Sequence, residues 1–337
     1  MNAEFLTPVE PENPGWQIDY KHRLMMLGSC FSEHIGEKFR EYRFQTDLNP
    51  FGVIFNPLSI AGSLRRLMSG RPYRREELFE YRGIWGSFDH HSRFSGLSAE
   101  ESLEKINSRL AGSHNFMKQA DYLLITFGTA WVYEYRESGQ IVANCHKFPA
   151  SAFSLYRLTP ERIVDEYQKL LSALWSFNPR MRVMFTVSPV RHWKNGASGN
   201  QLSKAVLLLA TDCLTGKFGP GRCAYFPAYE IVMDELRDYR FYAPDMLHLS
   251  QVAVDYIWEK FVRTMISPGS LKLADQVRQI VCAARHRPFF PASKEYQLFL
   301  RKQLEKINAL TICFPYLNME AEKSFFQQKI RDYPENL

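Results

Sequence analysis

Ser29 and Cys30 stand where an apolar run stops. Residues 24–27 read Leu-Met-Met-Leu, Gly28 breaks the run, and an amphipathic stretch follows from Phe31. That pattern is a strand, a tight turn and a helix. A side chain in such a turn sits at a strand's carboxyl end over a helix N-terminus, where open α/β sheets act on ligands. A thiol there is a candidate nucleophile, because the positive end of a helix dipole stabilises the thiolate. Far downstream, Asp245-Met246-Leu247-His248 puts an acid three residues before a histidine. A histidine can take a nucleophile's proton while an acid holds its tautomer. An early nucleophile and a late Asp-x-x-His are the parts of an acyl-transfer triad. Both Cys30 and Ser29 remain open as the nucleophile.

Gly28-Ser29-Cys30-Phe31 is the motif that names the GSCFA family, and the chain resembles that family at further points in order. They are Asn49-Pro50-Phe51-Gly52-Val53-Ile54-Phe55-Asn56-Pro57, Thr126-Phe127-Gly128-Thr129-Ala130-Trp131, Asn144-Cys145-His146-Lys147, Thr186-Val187-Ser188-Pro189-Val190, and the Asp245/His248 segment. The tail from His286-Arg287-Pro288 to about residue 330 also resembles the family. The family is similar to a branch of the SGNH (GDSL-like) hydrolases. There the first motif is Gly-Asp-Ser, with the nucleophile two residues after the glycine. Laid on it, Cys30 takes the nucleophile's place and Ser29 the aspartate's. A slip of one residue would make Ser29 the nucleophile.

The resemblance implies hydrolysis of a carboxylic ester, or acyl transfer to or from a hydroxyl, through an acyl-enzyme. It also implies an oxyanion hole of three donors: the nucleophile's own amide, a glycine of the second motif and an asparagine of the third. Gly52 is the candidate glycine. The third motif reads Gly128-Thr129-Ala130, without the usual asparagine. Thr129, Asn144 and His146 are the candidates to replace it, and His192 is placed to line the same pocket. Two rivals stand beside the hydrolase: an acyltransferase using an acyl thioester, and a catalytically silent binding protein on the same scaffold.

Strands alternating with helices predict an α/β fold, a three-layer flavodoxin-like parallel sheet in the order 2-1-3-4-5. The spacing predicts strands near 23–28, 122–127, 181–187 and 223–226. A β-hairpin is expected over 131–135 and 140–143. Ser98, with Glu101 three residues on, predicts a helix start running to Leu110, and Thr159-Pro160 predicts another. Residues 70–100 lack periodicity and read as an insertion over the site. After Pro268-Gly269 the pattern is wholly helical. The expected domains are therefore 1–268, hydrolase-like, and 269–337, a helical extension packed on it through Tyr296, Leu298, Phe299, Leu300, Leu304 and Ile307.

The net charge of +6 is spread over 337 residues. Its densest points are Arg65-Arg66, the Arg71/Arg74/Arg75 group and Arg285-His286-Arg287, without interleaved stacking aromatics, so nucleic acid is not an expected partner. The N-terminus lacks a basic segment followed by an apolar one, and no apolar run approaches the ~20 residues that span a bilayer. Membrane attachment is not expected. Six scattered cysteines without a Cys-x-x-Cys read as free thiols in a reducing cytoplasm. Cys30 and His34, four apart, with Asp245 and His248 are too sparse for a metal site, and no phosphate-cradling glycine motif occurs. No metal and no cofactor are expected. The expected partner is a small-molecule or glycan ester. The glycan rests on Tyr73, Tyr81, Trp85, Phe88, Tyr133 and Tyr135, aromatics placed near loops where flat rings can line a cleft. His90-His91 reads as a surface pair.

Overall fold

The computed structural model describes residues 6–333. In chain order the elements are β1 (Arg23–Gly28), α1 (Cys30–Glu41), β2 (Gln45–Leu48), α2 (Pro57–Ser69), β3 (Phe79–Tyr81), β4 (Ile84–Gly86) and α3 (Ala99–Met117). Then follow β5 (Tyr122–Phe127), β6 (Trp131–Tyr135), β7 (Gln140–Val142), β8 (Phe153–Arg157), α4 (Pro160–Phe177), β9 (Arg182–Val187) and α5 (Gly196–Phe218). The chain continues through β10 (Cys223–Tyr225), the short α6 (Ala228–Glu230), α7 (Gln251–Met265), α8 (Pro268–Arg285), α9 (Lys294–Cys313) and α10 (Glu320–Asp332).

Five strands form the central sheet in the order β2-β1-β5-β9-β10, the flavodoxin-like order expected from the alternation of elements. The ladders β1–β5, β5–β9 and β9–β10 are parallel. All six residues of β5 are buried, as a strand covered on both faces must be. One core cluster joins β1, β5 and β9 to α2, α3, α4 and α5 through Leu27, Leu64, Ile106, Ile125, Leu170, Phe185 and Leu207.

Local chemistry sets the helix starts. Thr159 caps α4 by accepting the Arg162 N–H, with Pro160 at the first helical position. Ser98 caps α3 by accepting the Glu101 N–H, while Glu101 reaches back to the Leu97 N–H rather than to Ser98. That helix runs to Met117, seven residues beyond the sequence-based end.

Two strand pairings were not legible in the sequence. Residues 70–100 hold the β3–β4 hairpin, whose three-residue strands are too short to show a period. The β6–β7 hairpin gains β8 as a third strand, antiparallel to β6. Phe88, Val142 and Phe153 form a small core there, with Phe79, Tyr133, Tyr135 and Phe148 packed on it. The aromatics expected to line a cleft are thus mostly packing. Tyr73 is buried and its hydroxyl donates to Asp89, Phe88 is buried, and Trp85 carries Arg75 on its face. Tyr81 does border a cleft. His90 is also buried, stacked on Phe51, and is not a surface residue.

By contacts the chain forms two compact units. The first comprises Met1–Trp16, Arg23–Gly36 and Thr46–Thr264. The second comprises Gln17–His22, Glu37–Gln45 and Met265–Leu337. In the second unit Tyr20 stacks on Phe44, and Asp19 accepts from Ser267 and Ser270. Tyr296, Leu300 and Ile307 of α9 are buried, whereas Leu298 is exposed.

Candidate active site

The site lies wholly in the first unit, at the carboxyl ends of three adjacent strands. β1 ends on Gly28, where φ is +150°. A Cβ at this position would lie 2.3 Å from the Thr126 carbonyl oxygen, so only glycine lets β1 and β5 approach here. The Ser29 N–H donates to that same carbonyl. Cys30 then opens α1.

This turn separates the two candidate nucleophiles. Ser29 is 1% exposed, and its hydroxyl has no hydrogen-bond partner among the described residues. Cys30 is half-buried on the helix N-terminus. Burial pushes its thiol up. The amides of Phe31 and Cys30 and the charge of Lys204 act in the opposite sense, and Glu33 adds to the rise.

Asp245 and His248 form the expected pair in the loop before α7. His248 Nδ1 and Asp245 Oδ2 are 2.6 Å apart. Asp245 Oδ1 also accepts the Leu247 and His248 N–H groups at 2.9 Å each. One carboxylate therefore folds the loop and orients the ring. These three bonds, the His248 ring first, hold the Asp245 carboxyl down to about 2. The imidazole's Nε2 has no partner among the described residues. Leu247 accepts a long bond from the Arg191 N–H, which ties this loop to the one after β9. His34, one turn along α1 from Cys30, is lowered by burial; Glu33 opposes this and the charge of His248 adds to it.

The expected oxyanion donors are already engaged. The Gly52 N–H donates to Asn49 O at 2.8 Å, and a Cβ on Gly52 would lie 2.2 Å from His91 Cβ. This glycine serves a close approach inside a turn. The Gly128 and Thr129 amides both donate to Phe55 O, at 2.8 and 3.0 Å. The Thr129 hydroxyl pairs with Ser203 and accepts the Trp131 N–H. Asn144 donates to Ser92 and accepts the His146 N–H, while the His146 ring bonds the Ser87 carbonyl. Asn144 and His146 thus tie the hairpin base to the Ser87–Ser92 segment. His146 borders a separate cleft of about 490 Å³ with Phe79, Tyr81 and Ile84. The amide donors acting on the Cys30 thiol are its own and that of Phe31, and both favour the charged form. Asn49 also has a spare one: its Oδ1 accepts the Gly28 N–H, and its buried Nδ2 has no partner among the described residues.

Lys204 is the residue that motif reading missed. It is 1% exposed on α5, and its ammonium donates to the Gly128 and Ser188 carbonyls at 2.7 and 2.6 Å. Burial pulls it down to about 7. Its signal was periodicity. Asn200, Ser203, Lys204, Leu207, Thr211 and Leu214 share the buried face of α5, where a lysine is out of place. His192 stands close by. Burial lowers its ring, helped by the charges of Lys204 and Lys194, and its Nε2 is buried without a partner among the described residues.

A cleft of about 590 Å³ opens beside Asp245, lined by Arg191, Trp193, Met233, Tyr239, Tyr242 and Met246 among others. Trp193 and Tyr239 are exposed at its wall.

The parallel five-stranded sheet with its Cys30 turn at the carboxyl rim and the Asp245/His248 loop downstream is a doubly wound α/β fold. The family model described as "GSCFA family" matches residues 23–261, and the model for the "GSCFA domain protein, C-terminal domain" matches residues 277–332. The chain belongs to the GSCFA family. No curated protein matches it. Among solved structures it is similar to a carbohydrate esterase family 3 protein from Talaromyces cellulolyticus, at 8% identity over 77% of this chain and 99% of that one, with a TM-score of 0.35. It is also similar to the acetyl xylan esterase Est2A from Butyrivibrio proteoclasticus, at 9% identity over 76% of this chain and 64% of that one, with a TM-score of 0.37. Likenesses this distant say nothing of the reaction. Among the described residues no helix is long and apolar enough to cross a membrane.

Proposed function

We propose that this site transfers acyl groups from esters through an acyl-enzyme on Cys30. The observation that carries the reading is the His248–Asp245 bond, with Nε2 left unpartnered, in the same compact unit as a half-buried thiol on a helix N-terminus. The Cys30 thiolate attacks the ester carbonyl. The carbon–sulfur bond forms, the carbon–oxygen bond to the leaving group breaks, and the departing alkoxide takes a proton from His248. Water then gives its proton to His248 and attacks the thioester, releasing the acid and the thiolate. Asp245 holds the ring and stabilises the imidazolium. The Cys30 and Phe31 amides face the charge that develops on the carbonyl oxygen.

The cleft beside Asp245 suits the alcohol part of the ester. Trp193, Tyr239 and Tyr242 offer flat faces of the kind that pack on sugar rings, and Arg191 offers a donor. We therefore favour a glycan ester. The thiol also supports a second reading, transfer from an acyl thioester to a hydroxyl, because thioester exchange at Cys30 is nearly isoenergetic.

The test is intact-mass measurement after exposure to an activated acetyl ester and an acetyl thioester, with Cys30→Ala and Ser29→Ala beside the native chain. The native protein should gain one acetyl group on Cys30. Cys30→Ala should lose the adduct and at least about 10³-fold of hydrolysis, and Ser29→Ala should keep most of both. The opposite ranking would make Ser29 the nucleophile. No adduct and no turnover in the native chain would leave a binding protein.

A further inference from the structure

The second cleft, the one that His146 borders, is built on two tight turns. The first joins β3 to β4 through Arg82 and Gly83, with φ of +55° and +75°. The second runs Cys145-His146-Lys147-Phe148 and is closed by the Phe148 N–H donating to the Cys145 carbonyl at 2.9 Å. Its two central residues have φ of +46° and +61°. A turn left-handed at both centres normally takes glycine, asparagine or aspartate there. Here a histidine and a lysine hold both places. Backbone held in this region by such side chains is strained, and strain of this kind gathers at ligand sites.

Ring contacts lock the two turns together. The Phe79 ring lies 4.9 Å from that of His146, and Tyr81 stacks on Phe148 at 4.1 Å. Arg82 follows Tyr81 and Lys147 precedes Phe148, so this stack brings the two cations together at the cleft of about 490 Å³ that both border. Arg82 lies 5.1 Å from the centre of the Tyr81 ring, and among the described residues neither cation meets a carboxylate. Glu101, the acid that borders the cleft, is engaged elsewhere: it accepts from Lys105 at 2.7 Å and from the Leu97 N–H at 2.8 Å. The remaining wall is aliphatic. Ile84 and Leu97 flank the Trp85–Gly96 bridge and are 42% and 78% exposed. Exposed aliphatic surface gathered in a concave site marks a place for a ligand.

We propose that this cleft binds a medium-chain alkyl carboxylate, with its head on Arg82 and Lys147 and its chain along Ile84, Leu97 and Phe79. Two unpaired cations ask for an anion. The aliphatic wall beside them asks for a chain, and a flat ring would need an aromatic face. The Tyr81 ring is already stacked on Phe148 with Arg82 beside it. Neither Cys30 nor His248 takes part, so the site stands or falls independently of the acyl-transfer reading.

The experiment is titration calorimetry of the full-length chain with octanoate and with octanol, which has the same chain and no charge. The native protein should bind octanoate at one site, about fivefold or more tighter than octanol. The double variant Arg82→Met/Lys147→Met should weaken octanoate to the level of octanol and leave octanol unmoved. Ile84→Glu should lose both ligands. All three positions are on the surface, so the variants should fold. Lys147→Gly supplies a further check, because glycine takes this φ without strain. Its melting temperature should not fall, while its octanoate affinity drops. No octanoate binding, equal affinity for the two ligands, or an octanoate affinity unmoved in the double variant or in Ile84→Glu overturns the proposal.

Discussion

Asp245 holds His248 by two different bonds at once: Oδ2 meets the ring's Nδ1 at 2.6 Å, and Oδ1 accepts the backbone N–H of the same residue at 2.9 Å. The capping role and the catalytic role of an Asp-x-x-His are usually weighed as alternatives. Here one carboxylate both folds the loop and holds the ring.

This predicts a split in the effects of substitution. Asp245→Asn keeps an oxygen for the loop amides but offers the ring an amide donor instead of an acceptor. The imidazole is then held in the wrong tautomer, and acyl transfer should fall by about 10³- to 10⁴-fold while the melting temperature stays nearly unchanged. Asp245→Ala loses the loop bonds too and should be both inactive and less stable. Equal thermal losses in the two variants would show that capping is the residue's whole role.

Gly28→Ala should be among the most damaging single-methyl changes in the chain. The added carbon would stand 2.3 Å from the Thr126 carbonyl oxygen at a φ of +150°. Parting β1 from β5 or twisting the turn costs about 1–3 kcal/mol or more. Urea unfolding should show the loss as a lower midpoint. An unchanged midpoint would mean that the turn relaxes freely.

His90 makes stability depend on acidity. It is buried, stacked on Phe51 and edge-on to Tyr73, and burial holds it down to about 3. In the unfolded chain it titrates near 6.5. Between those values the unfolded state binds a proton that the folded state refuses, so stability falls as pH drops through this window, by up to about 1.4 kcal/mol per pH unit. Above the window His90 contributes no dependence. His90→Phe should flatten the slope between pH 6 and pH 4 by close to one proton. The same slope in both proteins would assign the acid sensitivity to other groups.

Cutting the chain after residue 268 should not yield a soluble core. The second unit includes Gln17–His22 and Glu37–Gln45, which carry the buried Tyr20, Phe39 and Phe44. Removing the helices of that unit strips cover from these rings, so the truncated protein should aggregate. A monomeric, active 1–268 fragment on size exclusion would refute this.

The sequence by itself determined the sheet, the turn and the loop of this protein. The run from Leu24 to Leu27 stopping at Gly28, the mostly apolar β5, and Thr159-Pro160 before α4 are local patterns, and local patterns read directly as strands, turns and caps. The Asp245/His248 pair is also local, three residues apart. Tertiary structure alone decided what these elements share. Which of Ser29 and Cys30 is reachable depends on how deeply β1 ends against β5. Whether Gly52, Gly128 and Thr129 have amides to spare depends on Asn49 and Phe55, which claim them. Lys204 looks like one lysine among many until α5 is laid across the ends of β5 and β9. Hydrogen-bond partners more than 70 residues apart leave no spacing in a sequence, because it is packing that brings them within reach.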